Sequence, residues 1–289
     1  MHGTPEISIL IAAYNAADTL GEQLDSLRAQ QYEGSWEVLV ADNRSRDGTA
    51  ELVRRYQQLM PNLRLIDAHE RQGKCYATNL AVSQAYGQRF FFVDADDVTA
   101  PGWLAALAAS MEGRHAAAGS LDTQTLNSST VQRPIGYKGV ESKALGFLPY
   151  LIGCNCAISR EAWEATSGND ERFPGSHDLE LSWRLQLKGY GLHYAPEAVV
   201  RYRHRGTLHN LWHQVNKYAL DYPLLYKSYK AYGMPRASAR QVVAKYWWLL
   251  SKAYFPLRGG PGRRAKWLYE AACAWGLMRG SLRNRQLYL

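Results

Sequence analysis

Along the first hundred residues, apolar positions switch between two periods. Ile7-Ser-Ile-Leu-Ile11 is an almost unbroken apolar run, which predicts a strand buried on both faces. Asp18 precedes Leu20, Leu24 and Leu27, whose i, i+4, i+7 spacing predicts a helix capped by Asp18. Residues 36–40 and 63–66 read as two more strands, and Phe90 to Val93 as a fourth. Between them, Leu52, Val53 and Tyr56 mark one helix and residues 74–86 another. Strand and helix in alternation predict a mostly parallel sheet with helices on both faces, which collects ligands at the carboxyl ends of its strands.

Periodicity fades between about residues 118 and 150, where Ser, Thr, Gly and Asn accumulate; this stretch reads as loop-rich or acceptor-facing. It returns as an amphipathic helix at 178–187, then as one more strand at 198–202. From Thr207 the pattern is helical over 207–231, 236–255 and 264–282, broken by Gly233-Met-Pro235 and by the Gly-rich run ending at Gly262.

Charge divides the chain at the same place. Residues 1–200 hold 17 Lys/Arg against 24 Asp/Glu, and residues 201–289 hold 17 against 2, with five of the nine Trp. The tail is therefore suited to an anionic partner. No apolar run reaches the length of a membrane span, and residues 1–6 lack a basic leader pattern, so neither an integral membrane protein nor an exported one is expected. Four cysteines suit no disulfide scaffold, and Cys154-Asn-Cys156 lacks zinc-site spacing, so a reducing, cytoplasmic setting is expected. Charge alone raises a nucleic-acid binder, but no helix-turn-helix, zinc or aromatic RNA-binding pattern accompanies it, and no nucleic acid is expected as a partner.

The densest chemistry is Asp94-Ala-Asp96-Asp97, directly after the fourth strand. Three carboxylates in four residues repel one another unless a cation or hydrogen-bond donors offset them. A hard divalent cation shared with substrate phosphates asks for such a group, although Asp97 could instead cap a helix starting near Pro101.

Taken in order, these segments resemble the inverting glycosyltransferases of family 2, with the GT-A fold. The resemblance spans roughly residues 6–205 and rests on Ala12-Ala-Tyr-Asn15, Ala41-Asp-Asn-Arg-Ser-Arg-Asp-Gly-Thr49, Gly73-Lys-Cys-Tyr-Ala-Thr-Asn79, Asp94-Ala-Asp-Asp97, Gly153-Cys-Asn155 and His177-Asp-Leu-Glu-Leu-Ser-Trp-Arg184. It implies a GT-A catalytic domain over residues 1–206, with 207–289 as a basic, aromatic helical tail. It also implies transfer of a sugar from a nucleoside diphosphate sugar, UDP-linked by preference, to a glycan or lipid-linked acceptor. Mn²⁺ or Mg²⁺ would assist. A degenerate member that binds the donor without turnover is the alternative.

The resemblance places Ala13, Tyr14, Asn15, Asp42, Lys74, Asp94 and Ala95 around the donor, with Tyr14 and Asp42 at the nucleobase and Asp94 at the ribose. Turn formation is the other reading of Asp42, and a solvated helix face that of Lys74. Asp96 would hold the metal, joined by His204, unless that histidine is solvated or faces a phosphate. Asn155, His177 and Trp183 would face the acceptor. Asp178, at a helix start, matches the family's general base, with helix capping as the alternative, and Glu180 points elsewhere as partner of an Arg. The family commonly carries an acidic residue where this chain has His177. In the tail, Trp212, Trp247, Trp248, Trp267 and Trp275 among Lys and Arg suit either an anionic membrane surface or packing onto the catalytic domain, making the protein peripheral to the inner face of a membrane on the first reading.

Overall fold

The computed structural model describes residues 4–127, 139–140, 143–204 and 206–289. Its parallel half follows from the apolar runs. Strands β1 (Ile7–Ala13), β2 (Trp36–Asp42), β3 (Leu63–Asp67) and β4 (Arg89–Val93) lie side by side in the order β3-β2-β1-β4. All three pairings are parallel, and β1 meets β2 from Ile7 opposite Trp36 to Ala13 opposite Asp42.

Of the other half the apolar pattern shows only the strand at 198–202, which is the end of the strand His193–Arg201. Strands β5 (Val98–Thr99), β6 (Ala116–Asp122), β7 (Asn155–Ser159) and β8 (His193–Arg201) extend the sheet beyond β4 in the order β7-β6-β8-β5. β7 is antiparallel to both its neighbours, β5 is antiparallel to β8, and β6 and β8 are parallel. The mostly parallel sheet expected is therefore a mixed one. β6 opens Ala116-Ala-Ala-Gly119, residues of poor strand propensity, because the space there is small. A Cβ on Gly119 would stand 2.0 Å from the Ala198 carbonyl oxygen.

Helices α1 (Leu20–Arg28), α2 (Thr49–Gln57), α3 (Lys74–Ser83), α4 (Trp103–Ser110), α5 (Arg160–Thr166) and α6 (His177–Leu187) cover the sheet. Alternation along β1 divides two cores between its faces. Ile7, Ile9 and Ile11 pack with Leu20, Leu24 and Trp103 on one side, and Leu10 with Ala77, Trp163 and Leu185 on the other. Each fully buried Ile or Leu contributes about 1.5–3 kcal/mol relative to exposure. The expected Asp18 cap and the alternative reading of Asp97 as a cap both fail. Thr19, not Asp18, stands at the α1 N-cap, and its hydroxyl donates to the Ala95 carbonyl at 3.1 Å, joining α1 to the acidic loop. α4 starts after Gly102, whose φ of +79° favours glycine, so Asp97 does not cap it.

The tail forms α7 (Leu208–Tyr229), α8 (Ala239–Ser251), α9 (Phe255–Arg258) and α10 (Pro261–Asn284), close to the three expected helices. Among the described residues no helix is long and apolar enough to cross a membrane. α7 and α10 cross so closely that a Cβ on Gly280 would stand 2.3 Å from the Leu220 carbonyl oxygen. Ala219, Leu225 and Tyr229 of α7 share a core with Leu277 of α10, Trp183 of α6, and Phe147 and Phe173. The change in composition at residue 207 thus marks no break in packing.

A buried polar tie joins tail to sheet domain. Asp221, buried on α7, accepts the backbone N–H groups of Gly175 (2.7 Å) and Ser176 (3.0 Å), just before α6. Asp221→Ala leaves both donors buried and unpaired and should cost about 1–3 kcal/mol of stability in denaturant unfolding. An unchanged midpoint would show that Asp221 does not carry this tie.

Candidate active site

The carboxyl ends of β1 and β4 and the start of α3 open on one cleft of about 920 Å³. One wall carries Tyr14 and Asn15 after β1, Gly73 and Lys74 at the start of α3, and Asp94 to Asp96 after β4. Gly153, His177 and Asp178 on the first turn of α6, and His213, Lys217 and Tyr218 of α7 line the cleft as well. The tail therefore supplies part of the cleft, which the sequence reading missed because helical periodicity does not show where a helix docks.

Asp94, Asp96 and Asp97 bring one carboxylate oxygen each to within 4.8 Å of one another. The backbone carries part of this load. Arg203 donates its N–H to Asp97 Oδ1 at 2.8 Å and its Nε to the Asp96 carbonyl at 2.9 Å, while its other guanidinium end reaches Glu22 at 2.9 Å. Asp97 Oδ2 remains buried with no hydrogen-bond partner. Burial, reinforced by Asp94 and Asp96, raises the Asp97 pKa well above the carboxylate range. A compact all-oxygen donor set with an orphaned buried oxygen fits a hard divalent cation.

Cations stand beside it. Lys74 Nζ pairs with Asp94 Oδ1. Burial pushes the lysine pKa down, but Asp94 more than offsets it and the net shift is upward. Lys217, from α7, is lowered by burial and by facing Lys74. Both lysines line the cleft, so its lining carries positive charge beside the carboxylates. Asp178 lines the same cleft, with Oδ1 accepting Leu179 N–H at 2.9 Å and Oδ2 the Gly153 N–H at 3.4 Å. Glu180 does point elsewhere: it pairs with Arg184 and accepts the Tyr229 hydroxyl at 2.6 Å.

Several expected site residues lie away from the cleft. Asn155 is fully buried, accepts from the Trp103 indole at 2.8 Å and donates to the carbonyls of Ser120 and Ala198 at 2.8 Å each, so it braces the sheet and cannot meet an acceptor. Trp183 is fully buried against Phe147 and Tyr229 and donates to the Leu148 carbonyl, a core position for the same reason. Asp42 is buried, held by His69 Nε2 at 2.8 Å and the Ser45 N–H at 3.3 Å; Asn43, next along, lines the cleft. His69 was unread, since a lone histidine in a loop carries no periodic signal. Asn15 ties its loop to the next one, donating its N–H to Ser45 Oγ and accepting from the Arg46 N–H at 2.9 Å each. His204 is not in the three-carboxylate group; its N–H donates to Asn127 and its ring meets Tyr202 edge-on. Ala13 and Ala95 line the cleft.

A mixed sheet with an acidic turn after its fourth strand and helices on both faces is the GT-A fold. The glycosyl transferase family 2 model matches residues 8–166, and that of glycosyl transferase family group 2 matches residues 90–283. The chain belongs to glycosyltransferase family 2. Glycosyltransferase AglE of Haloferax volcanii is 36% identical over 101 residues, 35% of this chain and 33% of that protein. Poly-beta-1,6-N-acetyl-D-glucosamine synthase of Staphylococcus aureus is 26% identical over 226 residues, 74% of this chain and 53% of that one. The chain thus spans about a third to a half of these curated relatives. Among solved structures, the Pyrobaculum calidifontis mannosyltransferase PcManGT in complex with GDP-Man and Mn²⁺ shares the fold at TM-score 0.61 and 22% identity, covering 97% of this chain and 76% of that one. S. aureus TarS 1–349 in complex with UDP does so at 0.56 and 16%, covering 97% and 92%.

His177 carries a pH prediction. Its Nδ1 is buried without a partner, and burial, partly offset by Asp178, pushes the imidazole pKa down to about 4. The folded state therefore takes up this proton less readily than the unfolded chain. Stability is full above the ordinary histidine range and falls as pH drops from about 6.5 toward 4. In thermal melts across that window, His177→Phe should lose less stability than wild type; parallel curves would show that the imidazole is not desolvated.

Proposed function

We propose that this cleft transfers a sugar from a nucleoside diphosphate donor, UDP-linked by preference, to a hydroxyl of a glycan or lipid-linked acceptor in cell-envelope glycan synthesis. The anomeric centre inverts. One observation carries the reading: Asp94 and Asp96 of the three-carboxylate turn, Lys74 and Asp178 line a single cleft at the strand ends. Family membership supports it, as do the ligands bound by the structural relatives, UDP on TarS and GDP-Man with Mn²⁺ on PcManGT.

Asp96, with Asp94 and Asp97 beside it, is the group that would hold Mn²⁺ or Mg²⁺. Such a cation, when bound, neutralises charge growing on the leaving diphosphate. Lys74 and Lys217 approach the same phosphates, and their positive charge favours the anionic leaving group. Tyr14, half exposed at the cleft rim, offers a face for the nucleobase. Asp178 takes the proton of the acceptor hydroxyl as that oxygen attacks the anomeric carbon from the face opposite the diphosphate. The new carbon–oxygen bond forms, the bond to the phosphate oxygen breaks, and its electron pair leaves with the nucleoside diphosphate. His177, neutral and adjacent, meets the acceptor as a hydrogen-bonding group without adding charge.

The test is nucleotide release from a panel of UDP-, GDP- and dTDP-sugars, with a divalent cation or with EDTA. Asp178→Asn should lower the rate by about 10²–10⁴ with donor binding kept, since the amide keeps the shape and loses the base. Asp96→Ala should abolish the cation-dependent part of nucleotide binding and turnover, with the melt unchanged. Near-normal turnover by either variant removes that residue from the mechanism, and no release from any donor sinks the reading.

A further inference from the structure

α8 shows solvent a face that its sequence would be expected to hide. Val243, Trp247 and Leu250 are 67%, 71% and 74% exposed, and their i, i+4, i+7 spacing puts them on one stripe. Leu257 of α9 adds a fourth side chain at 81%. Scattered exposed apolar residues are ordinary; four in succession along one helical segment are not.

The inward face of α8 is already occupied. Leu249 is buried, its carbonyl accepts the Trp267 indole N–H at 3.0 Å, and Lys245 Nζ lies 3.6 Å from Cys273 Sγ, both partners on α10. The five tail tryptophans therefore divide, with Trp275 exposed on α10, outside this stripe. Trp212 packs in the seam between α7 and α10, Trp267 and Trp248 are half-buried, and Trp247 turns its ring outward.

Charge identifies what the stripe meets. Between residues 222 and 269 there are ten Lys or Arg and no Asp or Glu. Arg240, Arg258, Arg263 and Lys266 are exposed. Several of these cations lie on aromatic rings of the same segment: Arg263 and Lys252 over Phe255 at 5.9 and 5.8 Å, and Lys266 over Trp248 at 5.6 Å. Outward apolar side chains with cations beside them and no acid among them match the boundary between lipid phosphates and acyl chains.

We propose that α8 and α9 lie in the plane of an anionic lipid bilayer, with Val243, Trp247, Leu250 and Leu257 in the headgroup–acyl boundary and the surrounding Lys and Arg on lipid phosphates. The packing carries this contact to the cleft. α8 sits on the first half of α10; there Ala272 and Tyr269 pack on Leu211 and Val215 of α7. The same turns of α7 present His213 and Lys217 to the cleft. With packed helix axes 8–10 Å apart, the docked helix lies roughly 20 Å from α7. An acceptor embedded in the bilayer is then within reach of the site. That extension rests on the glycosyltransfer reading; the docking itself does not.

The experiment is flotation of the full chain with vesicles of phosphatidylcholine alone or mixed with phosphatidylglycerol, at low and high salt. The wild type should float with the anionic vesicles at low salt and be partly released by salt. Val243→Ser/Trp247→Ser/Leu250→Ser should cut the bound fraction about tenfold or more, with its melt and UDP binding unchanged. Arg258→Gln/Arg263→Gln should weaken binding about fivefold for each cation removed. No flotation at low salt overturns the proposal, as does a triple variant that floats like wild type. A concentration-dependent dimer that the triple variant dissolves, without flotation, also overturns it and assigns the stripe to a second copy. Flotation by a protein that binds no nucleotide upholds the docking and rejects the glycosyltransfer reading alone.

Discussion

Negative charge gathered at the end of β4 is the constraint around which the cleft is arranged. Carboxylate oxygens within 4.8 Å repel by about 3–4 kcal/mol per ionised pair at an effective dielectric near 20. The protein offsets part of that cost from several directions. Lys74 pairs with Asp94, Arg203 clasps the backbone of Asp96 and one oxygen of Asp97, and the Thr19 hydroxyl holds the Ala95 carbonyl. One buried oxygen of Asp97 is still unanswered. A turn so braced, yet incompletely satisfied, fits the divalent cation we propose for it.

The second organising feature is the docking of the tail. α7 reaches the loop before α6 through Asp221 and shares a core with Trp183, so the helix that bears His177 and Asp178 is held from both sides. Close passage of α7 and α10 depends on Gly276 and Gly280, where any side chain would strike the facing helix. The wall that α7 builds and the basic, apolar surface that α8 exposes are consequences of one arrangement: one face of the tail is spent on packing, another remains.

What the sequence disclosed follows from where the information is local. The unbroken runs of β1 and β4 and the heptad-like spacing of Leu20, Leu24 and Leu27 declare their elements within a few residues, and the acidic turn declares its chemistry the same way. β6 and β7 were illegible because their Ala, Gly, Cys and Asn residues answer to a neighbour across the sheet, not to a period. Asn155 and Trp183 looked like site residues because they sit in motifs beside the cleft, but their side chains turn into the core. The bond from His69 to Asp42 and the arrival of Lys217 in the same cleft as Lys74 join positions far apart in the chain, and only the folded arrangement shows them.

The central claim is that the acidic turn and the two lysines form one site for a cation and a nucleoside diphosphate together. Titration calorimetry of Mn²⁺ into the protein, with and without UDP, tests it most directly. The account predicts that UDP tightens Mn²⁺ binding and Mn²⁺ tightens UDP binding by the same factor, as linkage requires, and that Asp94→Asn/Asp96→Asn removes the coupling. Equal Mn²⁺ affinity with and without UDP, or coupling that survives in the double variant, would contradict it.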